Sequence, residues 1–223
     1  MVSRTGIGLS PRALGAVAAV SAAAFAVLAW AVGRQVWSGY DQAVIDTMVR
    51  VQVAVADRRW VSVFARDLSS LGSMTVIVTA ALVIAGGLAV ARRWRVLGAT
   101  AAVLFGGWAA NTALKAVVAR PRPAAEHHQL EVLTHSFPSA HAMLSLVFYV
   151  TLAAAVVAGG RWRRPLAIYL YAAAVVTAVA VGLSRVYLAV HFPTDVAAGW
   201  LAGLAWLAVC GLAVRAIAGR DGR

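Results

Sequence analysis

Residues 142–159 read AMLSLVFYVTLAAAVVAG, without one charged side chain. A helix needs about 20 apolar residues to cross a bilayer core of about 30 Å. This stretch meets that requirement, and so do 13–33, 72–91, 96–116, 166–184 and 196–214. Of the 223 residues, 62% are hydrophobic and 13% charged, and mean hydropathy is +0.81. A soluble domain of this size cannot hide so much apolar surface, since such domains are about 45–50% apolar and about 25% charged. Soluble, disordered and fibrous classes are excluded. The expectation is all-α: a polytopic membrane protein with six transmembrane helices in a bundle, forming one domain over 1–223.

The net charge of +12 would point to nucleic acid in a soluble protein. Here the basic residues flank apolar runs, as at a cytoplasmic membrane face, so no nucleic-acid partner is expected. Six spans put both termini on one side. The short loops Arg92–Arg95 and Arg161–Arg164 on that side are purely basic, and every acid except Asp221 falls on the other. Short basic loops stay in the cytoplasm, so both termini are expected there, with a plasma-membrane location. The first apolar run, with Ala29-Trp30-Ala31 near its end, is too long for a cleaved leader and reads as a retained anchor. Cys210 alone allows no intrachain disulfide.

Between the first two spans, 34–71 is too polar to cross. Tyr40, Val44, Met48, Val51 and Val55 recur at helical spacing, while Asp41, Gln42, Asp46 and Arg50 fall elsewhere. This predicts one amphipathic helix in the outer interface, with an Asp46–Arg50 pair and Trp37 and Trp60 at headgroup depth. Gly86-Gly87 and Gly106-Gly107 read as points of close helix packing.

Polar groups at membrane depth are costly, so their placement points to function. Three clusters fall at the outer face of the six-span layout. The first is Lys115 to Pro123, at the end of the third span. The second is Ser136-Phe137-Pro138-Ser139-Ala140-His141, and the third runs from Ser184 to Asp195. All basic residues except Lys115 are arginine, so that lysine stands out. Lys115, Arg122 and Arg185 are three cations with little acid nearby, suited to a phosphate. Pro138 sits where a helix would begin, with Ser136 as its cap. The N–H groups of Ser139, Ala140 and His141 would then form an anion site, with the Ser139 hydroxyl adding a donor. Pro193 can start the last helix and place Asp195 in its first turn. From there Asp195 reaches back to His191, fixing the tautomer and freeing the other nitrogen as a nucleophile. His141 can protonate a leaving oxygen. Arg120 reads as a snorkelling anchor. His127, His128 and His135 read as loop residues, and His127-His128 with Glu126 and Glu131 do not have a standard metal-ligand spacing.

These residues closely resemble the type 2 phosphatidic acid phosphatase family, relatives of the vanadium haloperoxidases. The family signature is K-x6-R-P, then P-S-G-H, then S-R-x5-H-x3-D. Here it is met by Lys115 with Arg122-Pro123, by Pro138-Ser139-Ala140-His141, and by Ser184-Arg185 with His191 and Asp195. Ala140 in place of glycine is the one departure; it keeps the N–H but adds a methyl that would crowd a backbone with φ > 0. The resemblance implies a lipid phosphatase without metal or other cofactor. In it His191 forms a phosphohistidine, Asp195 orients it, and His141 acts as acid and then base. Lys115, Arg122, Ser139, Ala140 N–H and Arg185 would hold the phosphoryl oxygens. The expected substrate is a lipid phosphate or diphosphate: a polyprenyl diphosphate, phosphatidylglycerol phosphate or phosphatidic acid, with the composition tilting towards polyprenyl carriers. A lipid phosphotransferase would use the same motifs. A non-catalytic lipid-phosphate binder or transporter would not need the histidine–carboxylate pair. Oligomeric state and head group are not legible.

Overall fold

The computed structural model describes residues 9–124, 134–160 and 163–220. Eight helices make up the regular structure there: α1 Pro11–Gly33, α2 Ser38–Ala54, α3 Arg59–Ser70, α4 Met74–Val90, α5 Trp94–Val118, α6 Ala140–Gly159, α7 Arg164–Tyr187 and α8 Pro193–Arg220. Local chemistry sets several starts. The Ser10 and Ser73 side chains accept from the N–H groups of Ala13 and Val76, and Pro11 and Pro165 occupy first-turn positions where no N–H is required.

Helices α1, α5, α6, α7 and α8 are each long and apolar enough to cross a membrane. Helix α4 has 17 residues; together with α3, across a 46° bend, it makes a sixth candidate span. All six expected apolar segments are therefore helical, but one lies in a bent pair rather than a single rod. Helix α6 is the most enclosed of the spans, packed against α5, α7 and α8, while α1 lies along α8. Outward faces carry large apolar side chains such as Leu82, Phe105, Ile168 and Val176, as lipid contact requires.

In the segment 34–71 the expected helix is present as α2, and a second helix, α3, follows it. The two are separated by a break at 55–58, and the inward face of α2 carries Asp41 and Ile45, while Tyr40 and Val51 are exposed. Asp41 is buried there because it meets partners on other elements. Asp46 and Arg50 do not pair: Asp46 accepts from Gln42 and Arg50 donates to Thr47.

Glycines show where helices meet closely. At Gly106 and Gly107 the Trp206 ring lies where a side chain would be, so this pair is a packing point as expected. Gly86 and Gly87 face open space, and that expectation is corrected. At Gly199 an added Cβ would lie 2.7 Å from the Ser139 carbonyl oxygen and 2.9 Å from the Ala142 Cβ. A bare backbone there lets α8 press against the start of α6.

Candidate active site

One end of the bundle gathers the C-terminal ends of α5 and α7, the N-terminal ends of α6 and α8, and the loops beside them. Helix α8 starts at Pro193 and puts Asp195, fully buried, in its first turn. Its Oδ2 lies 3.5 Å from His191 Nδ1 and accepts from the Phe192 N–H at 2.9 Å and from the Ser136 hydroxyl. The Ser136 Oγ is also 3.4 Å from His191 Nδ1. With Nδ1 facing the carboxylate, Nε2 is the free nitrogen, and Arg122 reaches it at 3.1 Å. A guanidinium only donates, so Nε2 carries the lone pair. Burial pushes the His191 pKa from 6.5 down to about 3; the bond to Asp195 opposes the fall, and the Arg122 charge adds to it. The ring is neutral at physiological pH.

The expected cations converge on this pair. Arg122 donates to the carbonyls of Thr134 at 2.7 Å and Val190 at 2.6 Å. Burial lowers its pKa from 12.5 to about 10, opposed by Asp195, so it remains charged. Lys115 donates to the His135 carbonyl. Arg185 is buried on α7, gives one arm to the Ser69 hydroxyl at 2.7 Å, and keeps an Nε–H with no partner among the described residues. These three charges and His191 all bear on His141, in the first turn of α6. The elbow between α3 and α4 covers His141: a Cβ on Gly72 would lie 3.4 Å from its ring.

The cap of α6 is Ser139, whose side chain accepts from Ala142 N–H, and not Ser136, which is spent on Asp195 and His191. Ser139 N–H donates to the Asp195 carbonyl at 2.9 Å, which leaves the N–H groups of Ala140 and His141 as the donors of the first turn. Ala140 is helical and does not have positive φ; its methyl packs towards Ile77, Leu144 and Phe148. The crowding expected of φ > 0 does not arise. Phe137, fully buried against Val32 and Ala198, pins the loop between α1 and α8.

Arg120 is not an anchor. Ala119 adopts φ 46, ending α5 in a left-handed turn that swings Arg120 inward. There it bridges Asp195 Oδ1 and Asp41 Oδ2, both at 2.7 Å, donates to Thr194 at 2.8 Å, and stacks on Phe192. Sequence reasoning missed Asp41, Arg120, Thr194, Ser136 and Ser69 in these roles. Their contacts join segments 55 to 153 positions apart, with no local pattern to reveal them. Glu126, His127, His128 and Glu131 lie outside the described residues.

The sequence profile of the PAP2 superfamily matches residues 93–217. The chain belongs to the PAP2 superfamily. It is 36% identical over 165 residues, covering 70% of this chain and 81% of the relative, to decaprenylphosphoryl-5-phosphoribose phosphatase of Mycobacterium tuberculosis (strain ATCC 25618 / H37Rv). It is 30% identical over 186 residues, 81% of this chain and 86% of the relative, to phosphatidylglycerophosphatase B of Bacillus subtilis (strain 168). The crystal structure of a transmembrane PAP2 type phosphatidylglycerolphosphate phosphatase from Bacillus subtilis superposes with a TM-score of 0.79 at 26% identity, covering 86% of this chain and 93% of that one. This PAP2 protein is thus a multi-span membrane enzyme of the lipid phosphatase kind, as its motifs imply.

Proposed function

We propose that this PAP2 enzyme hydrolyses a terminal phosphate from a membrane lipid through a phosphohistidine, without a metal ion. The observation that carries the reading is His191, held between Asp195 on Nδ1 and Arg122 on Nε2. When substrate enters, Arg122 turns from Nε2 to the phosphoryl oxygens. Lys115, Arg185, the Ser139 hydroxyl and the Ala140 N–H supply further donors to the same group. His191 Nε2 attacks phosphorus and forms a P–N bond. The P–O ester bond breaks, and His141 gives its proton to the leaving lipid oxygen. His141 then takes a proton from water, whose oxygen attacks phosphorus; the P–N bond breaks and phosphate leaves. Fixed cations and a helix N-terminus stabilise the charge of the in-line transition state.

The whole chain 1–223 acts as one catalytic unit in the plasma membrane, with both termini cytoplasmic and the site facing outwards, a sidedness that rests on the basic loops at the opposite end. A lipid tail stays in the bilayer while its head reaches the site. The names of the two relatives compared above favour polyprenyl-linked phosphates and phosphatidylglycerol phosphate as the first substrates to try. The test is phosphate release in detergent from a panel of these lipids and phosphatidic acid, with and without chelator. Release from at least one, unchanged by chelator and blocked by vanadate, is expected. Release that stops with chelator and returns with a divalent cation would overturn the mechanism.

A further inference from the structure

We propose that Asp41, on α2, is a positioning residue for the reaction: through Arg120 and Thr194 it holds Asp195 in register with His191 and keeps the Asp195 charge available to it. The inference rests on the function proposed above. Asp41 lies outside the three motifs and outside the 93–217 match to the superfamily. It is nevertheless fully buried in the first turn of α2. A carboxylate so placed must be paired and hydrogen-bonded to stay ionised.

Its partners are all next to the reacting histidine. Asp41 Oδ1 accepts from the Thr194 N–H at 3.2 Å, at the start of α8. Oδ2 accepts from the Thr194 hydroxyl at 2.5 Å and from Arg120 at 2.7 Å. The other arm of Arg120 reaches Asp195 Oδ1 at 2.7 Å. One guanidinium therefore joins two buried carboxylates, one on α2 and one on α8. The remaining Asp195 oxygen, Oδ2, is the one facing His191.

Charge explains why the second carboxylate matters. Asp41, Arg120 and Asp195 together leave one negative charge. Phosphorylation at Nε2 with the proton kept on Nδ1 makes the imidazole ring cationic, and a net negative carboxylate beside Nδ1 stabilises that ring. Without Asp41, Arg120 and Asp195 form a neutral pair, and the guanidinium is free to pull Asp195 from its angle. Asp41 thus acts on the step that forms the P–N bond and leaves substrate binding nearly alone.

The test compares kcat, KM and Tm in detergent for wild type, Asp41→Asn, Asp41→Glu, Asp195→Asn and Asp41→Asn/Asp195→Asn. Asp46→Asn serves as a control on the same helix, where Asp46 accepts from its helix neighbour Gln42. The substrate is a lipid phosphate that the wild type turns over. Loss of an orienting partner lowers activity about 10–100-fold, so Asp41→Asn should lower kcat by that factor with KM little changed. Asp41→Glu, which keeps the charge, should lose less, and Asp46→Asn nothing. In the Asp195→Asn background the Asp41 substitution should cost nothing more, because its effect passes through Asp195. Wild-type kcat in Asp41→Asn, or an equal loss in both backgrounds, would overturn the proposal. If Asp41→Asn yields no folded protein, Thr194→Ala removes both hydroxyl contacts without changing charge and should show the same dependence on Asp195; an Asp195-independent loss would again overturn it. Failure of the wild type to turn over any lipid phosphate, or full activity in His191→Ala, would instead sink the underlying functional reading.

Discussion

His191 shows how local chemistry and burial combine. Its pair with Asp195 was legible, because i and i+4 positions straddling Pro193 leave little choice of geometry. Its strongly lowered pKa was not, since burial is a tertiary property. A histidine whose folded pKa lies below its unfolded value resists protonation in the folded state. Its contribution to stability is thus present above pH 6.5 and is lost as pH falls from 6.5 towards 3, at up to about 1.4 kcal/mol per pH unit. The ¹⁵N resonances of His191 should therefore keep their neutral-imidazole positions from pH 8 to 5; a midpoint near 6.5 would contradict the buried, carboxylate-paired geometry. Asp195→Asn should cost kcat roughly 10⁴-fold, as loss of an analogous orienting carboxylate does. Ala140→Gly should leave kcat within a few-fold, because the methyl points towards Ile77 and Leu144; a large loss would show that the methyl touches substrate. Arg120 and Asp41 were misread for one reason: an arginine just past a helix end and an acid on a polar helix look solvated until the fold brings them together.

At the level of elements, apolar run length foretold α1 and α4 to α8, and proline and serine placed several starts. The break between α2 and α3 and the 46° bend before α4 were not legible, because the loop chemistry at 55–58 and 71–73 is short and the pull on α2 comes from Asp41. The glycine contacts separate two kinds of helix face. Gly199→Ala should press on Ser139 and Ala142, push α8 from α6 and destabilise by about 1–3 kcal/mol, with loss of activity. Gly87→Ala faces open space within a helix and should stabilise by about 0.4–1 kcal/mol. Thermal unfolding in detergent, read beside kcat, checks both; a silent Gly199→Ala would contradict the close approach that seats the Ser139 loop.

For the molecule as a whole, the gathering of all three motifs at one end follows from the alternation of spans, and the layout read from the sequence predicted it. The opposite end is bound by basic loops, where Arg93 reaches the Ala158 carbonyl at 3.3 Å. With Cys210 replaced by serine, Ala124→Cys at the site end should react with an impermeant thiol reagent in intact cells, and Ala91→Cys only after permeabilisation. The reverse pattern would turn the site to the cytoplasm. The central claim, that the phosphoryl group passes through His191, is tested most directly by rapid acid-free quenching during turnover of a ³²P-labelled lipid phosphate. The account predicts a protein-bound label that is acid-labile and base-stable, maps to a fragment containing His191, and is absent from His191→Ala. Undiminished phosphate release by His191→Ala, or label on another residue, would contradict it.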